Sequence, residues 1–326
     1  MRRVVGGVLL ALGSFILVAA VLLPTYGASG LVKIPLDQFT ETVAEAEGAT
    51  VFSPAELKER DGVNLVATRR VKSDVKAGSS DTVVFDVFLR VEDPDLQVDD
   101  PKERVISAST DRVALDRRTS EAVSCCDENV NGEPTEHKGL TYKFPFDTEK
   151  KTYQYFDNTA LKSYPIRFVK TEEIEGVDAY KFQMTVEPVQ IAELEVPGNL
   201  VGSTEKSVKA PRFYTNIRTI WVEPTSGVII KGQEEQMHTL RDANGDDKVT
   251  LVNATLTWND ETVEKQSELA AENRDRISLL TTTLPIVLGV LGVLLLLVGL
   301  FLLISGRRNG TVGRRRASRH SEPVSV

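Results

Sequence analysis

Two uncharged runs of about twenty residues, one near each end, constrain this chain more than any other feature. Residues 4–23 read VVGGVLLALGSFILVAAVLL and hold nothing more polar than Ser14. Residues 284–304 read LPIVLGVLGVLLLLVGLFLLI. At 1.5 Å per residue each forms a helix of roughly 30 Å, which matches the hydrocarbon core of a bilayer. A helix of this length in a soluble protein keeps a polar side, and neither run has one. Both are expected to span a membrane.

The Met-Arg-Arg start also suits a secretion signal. The apolar region of a signal is usually about 7 to 15 residues and ends at a small-x-small cleavage site. Here the run is longer and leads into Leu22-Leu23-Pro24-Thr25-Tyr26, so a retained signal anchor is favoured, and no neighbouring cysteine offers a lipid anchor. Arg2 and Arg3 precede the first run, and Arg307, Arg308, Arg314, Arg315, Arg316 and Arg319 follow the second. Basic residues beside spanning helices stay in the cytoplasm. The expected localisation is the plasma membrane, crossed twice, with both termini cytoplasmic and the intervening chain outside.

Charge agrees with that arrangement. Setting aside the eight terminal arginines and Glu322 leaves 31 basic against 46 acidic residues, so the exported part carries about −15. Such a surface disfavours nucleic acid and the direct embrace of anionic lipid headgroups, and leaves divalent cations or a basic partner open. The partners expected overall are membrane lipids and, further, envelope lipids or other envelope proteins. The expected division is a signal anchor (1–23), a β-rich extracytoplasmic domain (24–259), a juxtamembrane helix (260–283), a second spanning helix (284–304) and a basic cytoplasmic tail (305–326).

Within the exported part, residues 24–48 carry Pro24, Gly27, Gly30 and Pro35 and read as an extended lead-out. Residues 63–71 and 82–91 have strand composition and flank a hairpin connection at 74–81, while 92–104 read as a loop. Residues 107–133 are mixed: a long loop with a short helix fits as well as a strand. From Gly139 aromatic residues alternate, as in Tyr142, Phe144 and Phe146, then Tyr153 and Tyr155. Further strands are expected at 179–186, 213–222, 227–231 and 248–258. Pro224 and Gly227 bracket a hairpin turn. Val263, Gln266, Ala270, Ile277 and Leu280 recur at helical spacing. The expected fold class is α+β, a β-rich antiparallel extracytoplasmic domain flanked by transmembrane helices and forming one compact unit without repeats.

Little in this domain carries recognisable chemistry. His137 and His238 lie in no metal or nucleophile motif and read as ordinary loop or surface residues. No glycine pattern suits a phosphate or dinucleotide, no cofactor is expected, and nothing singles out a catalytic pair among the 46 carboxylates. Cys125 and Cys126 are adjacent and can close a vicinal disulfide; two free thiols or a link to another chain remain open. Asp242, Asn244 and Asp246 alternate as the opening ligands of calcium loops do, but the sixth position is Asp247 and the twelfth Asn253, so a polar turn explains the same residues. In the tail, Arg315-Arg316-Ala317-Ser318 suits phosphorylation, or simply a stop-transfer cluster held by anionic headgroups.

GGVLLALGSFILVAAVLLPTY with LVKIPLD, then GLTYKFPFDTEKKTYQYFD and TIWVEPTSGVIIKG, resemble the PorA family of actinobacterial envelope proteins across both anchors and most of the domain. The resemblance implies a high-G+C Gram-positive envelope and supplies no catalytic or ligand residues. A uniformly apolar helix cannot line a wet channel as a monomer, so the porin name does not by itself give a mechanism. The two-anchor plan is also similar in topology to CD36-type scavenger receptors, an analogy without residue matches. The leading expectation is a non-enzymatic envelope protein that binds or helps transfer a lipid or other apolar envelope molecule, or scaffolds envelope proteins. An oligomeric channel is the first alternative and an envelope hydrolase the second.

Overall fold

The computed structural model describes residues 2–27, 30 and 32–308. The arginine-rich end of the tail and Ser318 lie outside the described residues. The chain forms two compact units, a helical one from its two ends and a larger one from Val32 to Asp275.

In the helical unit, α1 (Arg2–Leu22) pairs with the last helix of the chain, Leu284–Arg308, and both are long and apolar enough to cross a membrane. Buried Gly6, Gly13 and Ala20 recur every seven residues along α1. A Cβ on Gly6 would stand 2.9 Å from the Gly299 carbonyl oxygen, and one on Gly13 would stand 2.9 Å from that of Gly292. The two backbones therefore touch directly, as small residues permit when lipid offers no hydrophobic drive for association. As numbers rise along α1 they fall along its partner. The pair is antiparallel, with the start of α1 and the end of the chain's last helix at the same end.

Residues 24–27, expected to be extended, form a π-helical turn with Leu23. Pro24 has no amide proton to give back to the helix. The Thr25 hydroxyl instead donates to the carbonyl of Val21 at 2.9 Å and to that of Leu22 at 3.3 Å. A second π turn, Leu279–Thr283, precedes Pro285.

The larger unit is a twelve-stranded antiparallel sheet. Its strands are β1 (Phe39–Ser53), β2 (Lys58–Ser73), β3 (Thr82–Glu92), β4 (Val105–Asp116), β5 (Asn129–Val130), β6 (Glu133–Pro134), β7 (Tyr153–Asp157), β8 (Lys162–Ile174), β9 (Val177–Pro197), β10 (Ser207–Val222), β11 (Ile229–Arg241) and β12 (Asp247–Trp258). Their order across the sheet is β6-β5-β4-β3-β2-β1-β12-β11-β10-β9-β8-β7. Nearly every neighbour in space is a neighbour in sequence, except that β1 joins β12.

Single bridges then link the two ends of the sheet. Leu115 on β4 pairs with Ala122, Glu121 with Leu140, and Leu140 with Tyr155 on β7. The amides of Ala122 and Leu140 donate to the carbonyls of Gly139 and Gln154, each at 2.8 Å. Backbone pairing thus returns to its starting point through residues 121–123 and 139–140, and the strands enclose a concave interior.

The alanine- and glutamate-rich β1 was expected to belong to the lead-out. It forms a strand because its residues alternate: Thr42, Ala44 and Ala46 face the interior while Glu41, Glu45 and Glu47 face out, and the small inward side chains leave room for Leu65. Residues 107–116, where loop and strand were equally acceptable, belong to β4, with Asp111, Val113 and Leu115 buried.

Helix α2 (Asp260–Ser278) is capped by Asn259, whose side-chain oxygen accepts from the Thr262 amide at 3.1 Å. Its Ala270 packs on the outer side of the sheet against Trp221, Ile230 and Ala179. Elsewhere the outer face is largely polar, with Arg70, Lys72, Asp86, Arg90, Arg167 and Glu173 in solvent or half-buried. That is the reverse of a lipid-embedded barrel, whose outside is apolar.

Candidate functional site

The interior of the large unit is not uniformly apolar. Between clusters built on Phe144, Phe182 and Ile220 and on Ala46, Leu65 and Leu256 runs a column of buried polar side chains. At its centre the Arg218 guanidinium on β10 lies 3.0 Å from Glu234 on β11 and 3.4 Å from Asp157 on β7. Arg69 reaches Glu234 at 3.4 Å from β2, which is three places away in the sheet. Asn216 and Gln236 donate to the same carboxylate at 3.3 and 2.6 Å, and the Tyr214 hydroxyl donates to Asp157 at 3.1 Å. Burial by itself would raise the Glu234 pKa; the positive charges of Arg218 and Arg69 outweigh it and hold the group at about 2.

A second knot gathers on Asp111 of β4. Its carboxylate meets His137 Nε2 at 2.9 Å and accepts from the Tyr142 hydroxyl at 2.5 Å and from the Asn158 amide. His137 Nδ1 meets Glu128 at 3.0 Å. Burial pushes the His137 pKa down, but the hydrogen bonds and charges of Asp111 and Glu128 prevail and raise it.

His238 shows the opposite case. Burial and the neighbouring Arg212 depress its pKa to about 3. Its Nδ1 accepts from Arg212 at 3.1 Å, which requires the neutral tautomer with the proton on Nε2. Both histidines were expected to be ordinary loop or surface residues. His137 does lie in a loop and His238 in β11, and both are buried, 2 % and 6 % exposed.

The stretches 139–157 and 219–232 close one end of this interior. The Phe144 amide donates to the Gly227 carbonyl, and the Asp147 and Thr148 amides donate to those of Thr225 and Pro224. Lys143 is buried between them, its ammonium donating to the Phe144 and Ser226 carbonyls at 2.9 and 2.5 Å, over the Phe146 ring at 4.1 Å. Burial lowers its pKa to about 7.

The residues singled out from the sequence lie elsewhere. Cys125 and Cys126 are joined in a vicinal disulfide with Cα atoms 3.8 Å apart, and the Cys126 carbonyl accepts from Arg112 of β4 at 2.8 Å. Asp242, Asn244 and Asp246 form the β11–β12 turn. There Asp242 accepts from the amides of Asn244 and Asp246 and meets Lys248 at 3.1 Å. Among the described residues no group of three or more His, Cys, Asp or Glu side chains is arranged to hold a metal. An open groove of about 410 Å³ lies beside Phe39, Arg70, Lys72 and Phe88.

A family model described as Porin PorA matches residues 5–301, taking in both apolar helices and the whole sheet. The chain belongs to the PorA family. Among its relatives is a protein named Porin PorA from Corynebacterium resistens. It is 29% identical over 429 aligned positions that take in 99% of this chain and 100% of the relative. Another Porin PorA, from Corynebacterium amycolatum, is 28% identical over 378 positions, covering 92% of this chain and 98% of the relative.

This kinship overturns the expectation of a lipid-binding or lipid-transfer module. PorA relatives similar from end to end carry the name of a porin, and the interior that was to hold an apolar ligand is crossed by paired charges.

Proposed function

We propose that this PorA protein is an envelope channel that works as an assembly of several copies, not as an enzyme. The end-to-end similarity to proteins named porins carries the reading. The geometry narrows it. An antiparallel pair of uncharged helices in direct backbone contact has no polar lining, so one copy's pair cannot enclose a wet path. The sheet's outward charges keep it out of lipid. A conducting path therefore needs several copies, with the fixed charges of each supplied by the exported unit.

The placement that fits is the plasma membrane, crossed twice, with the arginine-flanked ends cytoplasmic and the sheet outside. The antiparallel helix pair supports it, because Arg2 and Arg3 then lie at the same end of the pair as Arg307 and Arg308. An added C-terminal tag digested by protease from outside intact cells would refute it.

Single-channel recording on the purified full-length protein tests the main reading. Discrete current steps are expected from the oligomeric fraction isolated after chemical cross-linking. A silent bilayer containing that fraction would overturn it.

A further inference from the structure

Most of the ring of backbone pairing is held by long ladders; β9 and β10, for example, match over nearly their whole length. One seam is different. Between β4 and β7 the ring closes through single bridges, Leu115 with Ala122, Glu121 with Leu140 and Leu140 with Tyr155, and the few backbone hydrogen bonds of residues 121–123 and 139–140 beside them. Over this stretch Ser120, Cys126, Asp127, Asn131 and Tyr142 adopt positive φ without being glycine, so strain is concentrated where pairing is thinnest. Local opening begins where few contacts oppose it.

On the interior side the seam is held through His137, whose side chain is fully buried. Nε2 faces Asp111 of β4 at 2.9 Å, and Nδ1 faces Glu128 at 3.0 Å. The His137 backbone amide also donates to Glu128 at 3.0 Å. A neutral imidazole has one N–H, whereas an imidazolium has two. Two carboxylates on the two ring nitrogens therefore require the imidazolium. Removing its proton sets a nitrogen lone pair against a carboxylate oxygen in a buried site, at a distance meant for a hydrogen bond.

We propose that His137 is a proton-operated latch: charged, it locks residues 121–142 across the gap between β4 and β7, and its deprotonation releases that stretch and opens the ring at this seam.

The surrounding groups favour this assignment. Phe156 of β7 lies against the ring at 4.4 Å and brings no charge. Asn158, outside the released stretch, donates to the other oxygen of Asp111 and keeps that carboxylate anchored when the latch opens; Tyr142 donates to the same oxygen and marks the end at which release stops. Lys138 and Glu136 pair with each other in solvent. Arg112, on the opposite face of β4, is bound to Asp74, Asp86 and the Cys126 carbonyl. The direction follows from the raised His137 pKa. The latch is closed below the ordinary histidine value and is lost as pH rises through the higher folded value.

Amide hydrogen exchange of the full-length protein in detergent, corrected for intrinsic rates and followed from acid to alkaline pH, tests the latch. Peptides within 121–142 should lose protection about tenfold per pH unit above the folded pKa while β9 and β10 stay protected. His137→Gln should show the unprotected seam at every pH. In Glu128→Gln an amide can donate to Nδ1, so a neutral His137 keeps both contacts; that seam should stay closed with a flat profile. If His137→Gln does not fold, the wild-type and Glu128→Gln profiles decide. A wild-type seam with no pH step, or the same step in Glu128→Gln, would overturn the proposal.

Discussion

The Phe144 amide donates to the Gly227 carbonyl at 3.0 Å, joining the two central stretches through which this chain resembles its family. Gly227 has φ +69°, and a Cβ there would stand 2.1 Å from the Phe144 carbonyl oxygen. Backbone atoms on both sides cannot yield. Gly227→Ala is expected to cost about 3 kcal/mol or more. Gly202→Ala, at φ +73° with nothing within 4 Å of its Cβ, is expected to cost only about 1 kcal/mol. Thermal unfolding in detergent compares the two, and equal melting temperatures would refute the steric account.

Glu234 neutralises two arginines from strands on either side of it in the sheet. Glu234→Gln is expected to destabilise the large unit by about 3 kcal/mol, because Arg69 loses its carboxylate and Arg218 keeps only Asp157. The folded pKa of about 2 lies below the ordinary carboxylate value, so this stabilisation is complete above that value and lost as pH falls toward 2. The gap between wild type and Glu234→Gln should narrow in acid. A gap that stays constant down to about pH 2 would show that the charge is not what matters.

His238 should remain neutral through mildly acidic conditions. Its folded pKa of about 3 means that the stability tied to it is present above the ordinary histidine value and lost as pH falls toward 3. Imidazole carbon shifts report this directly. Protonation near about pH 6.5 would mean the ring is not held against Arg212.

The helix pair depends on its glycines. Gly13→Leu puts a side chain where the Gly292 carbonyl already stands 2.9 Å from a bare Cβ. Spin labels on the exposed positions Val8 and Leu297 should report a longer and broader distance in this variant. An unchanged distribution would mean that the helices do not pack through these residues.

Much of this organisation was legible from local features. A run of some twenty apolar residues stands out without its neighbours, and the β-branched residues of 82–91 or the Pro224–Gly227 turn act over a few positions. The antiparallel, β-rich character followed from such signals. β1 escaped because its alanines have little strand propensity; their small size matters only opposite Leu65, a tertiary condition. The ionic column was hidden for a related reason. Arg69, Asp111, Asp157, Arg218 and Glu234 come from five strands, and as letters they are indistinguishable from surface charges.

The sequence by itself determined that a run near each end of the chain is long and apolar enough to cross a membrane, because the cost of placing apolar or charged residues in oil or water depends on each segment alone. Only the tertiary structure decided that Gly6 and Gly13 face Gly299 and Gly292, that the pKa of buried His137 is raised while that of buried His238 is lowered, and which carboxylates meet which arginines. Those outcomes depend on distances between residues far apart in the chain, and such distances are fixed only when, within each unit, the helices pair or the sheet curves round.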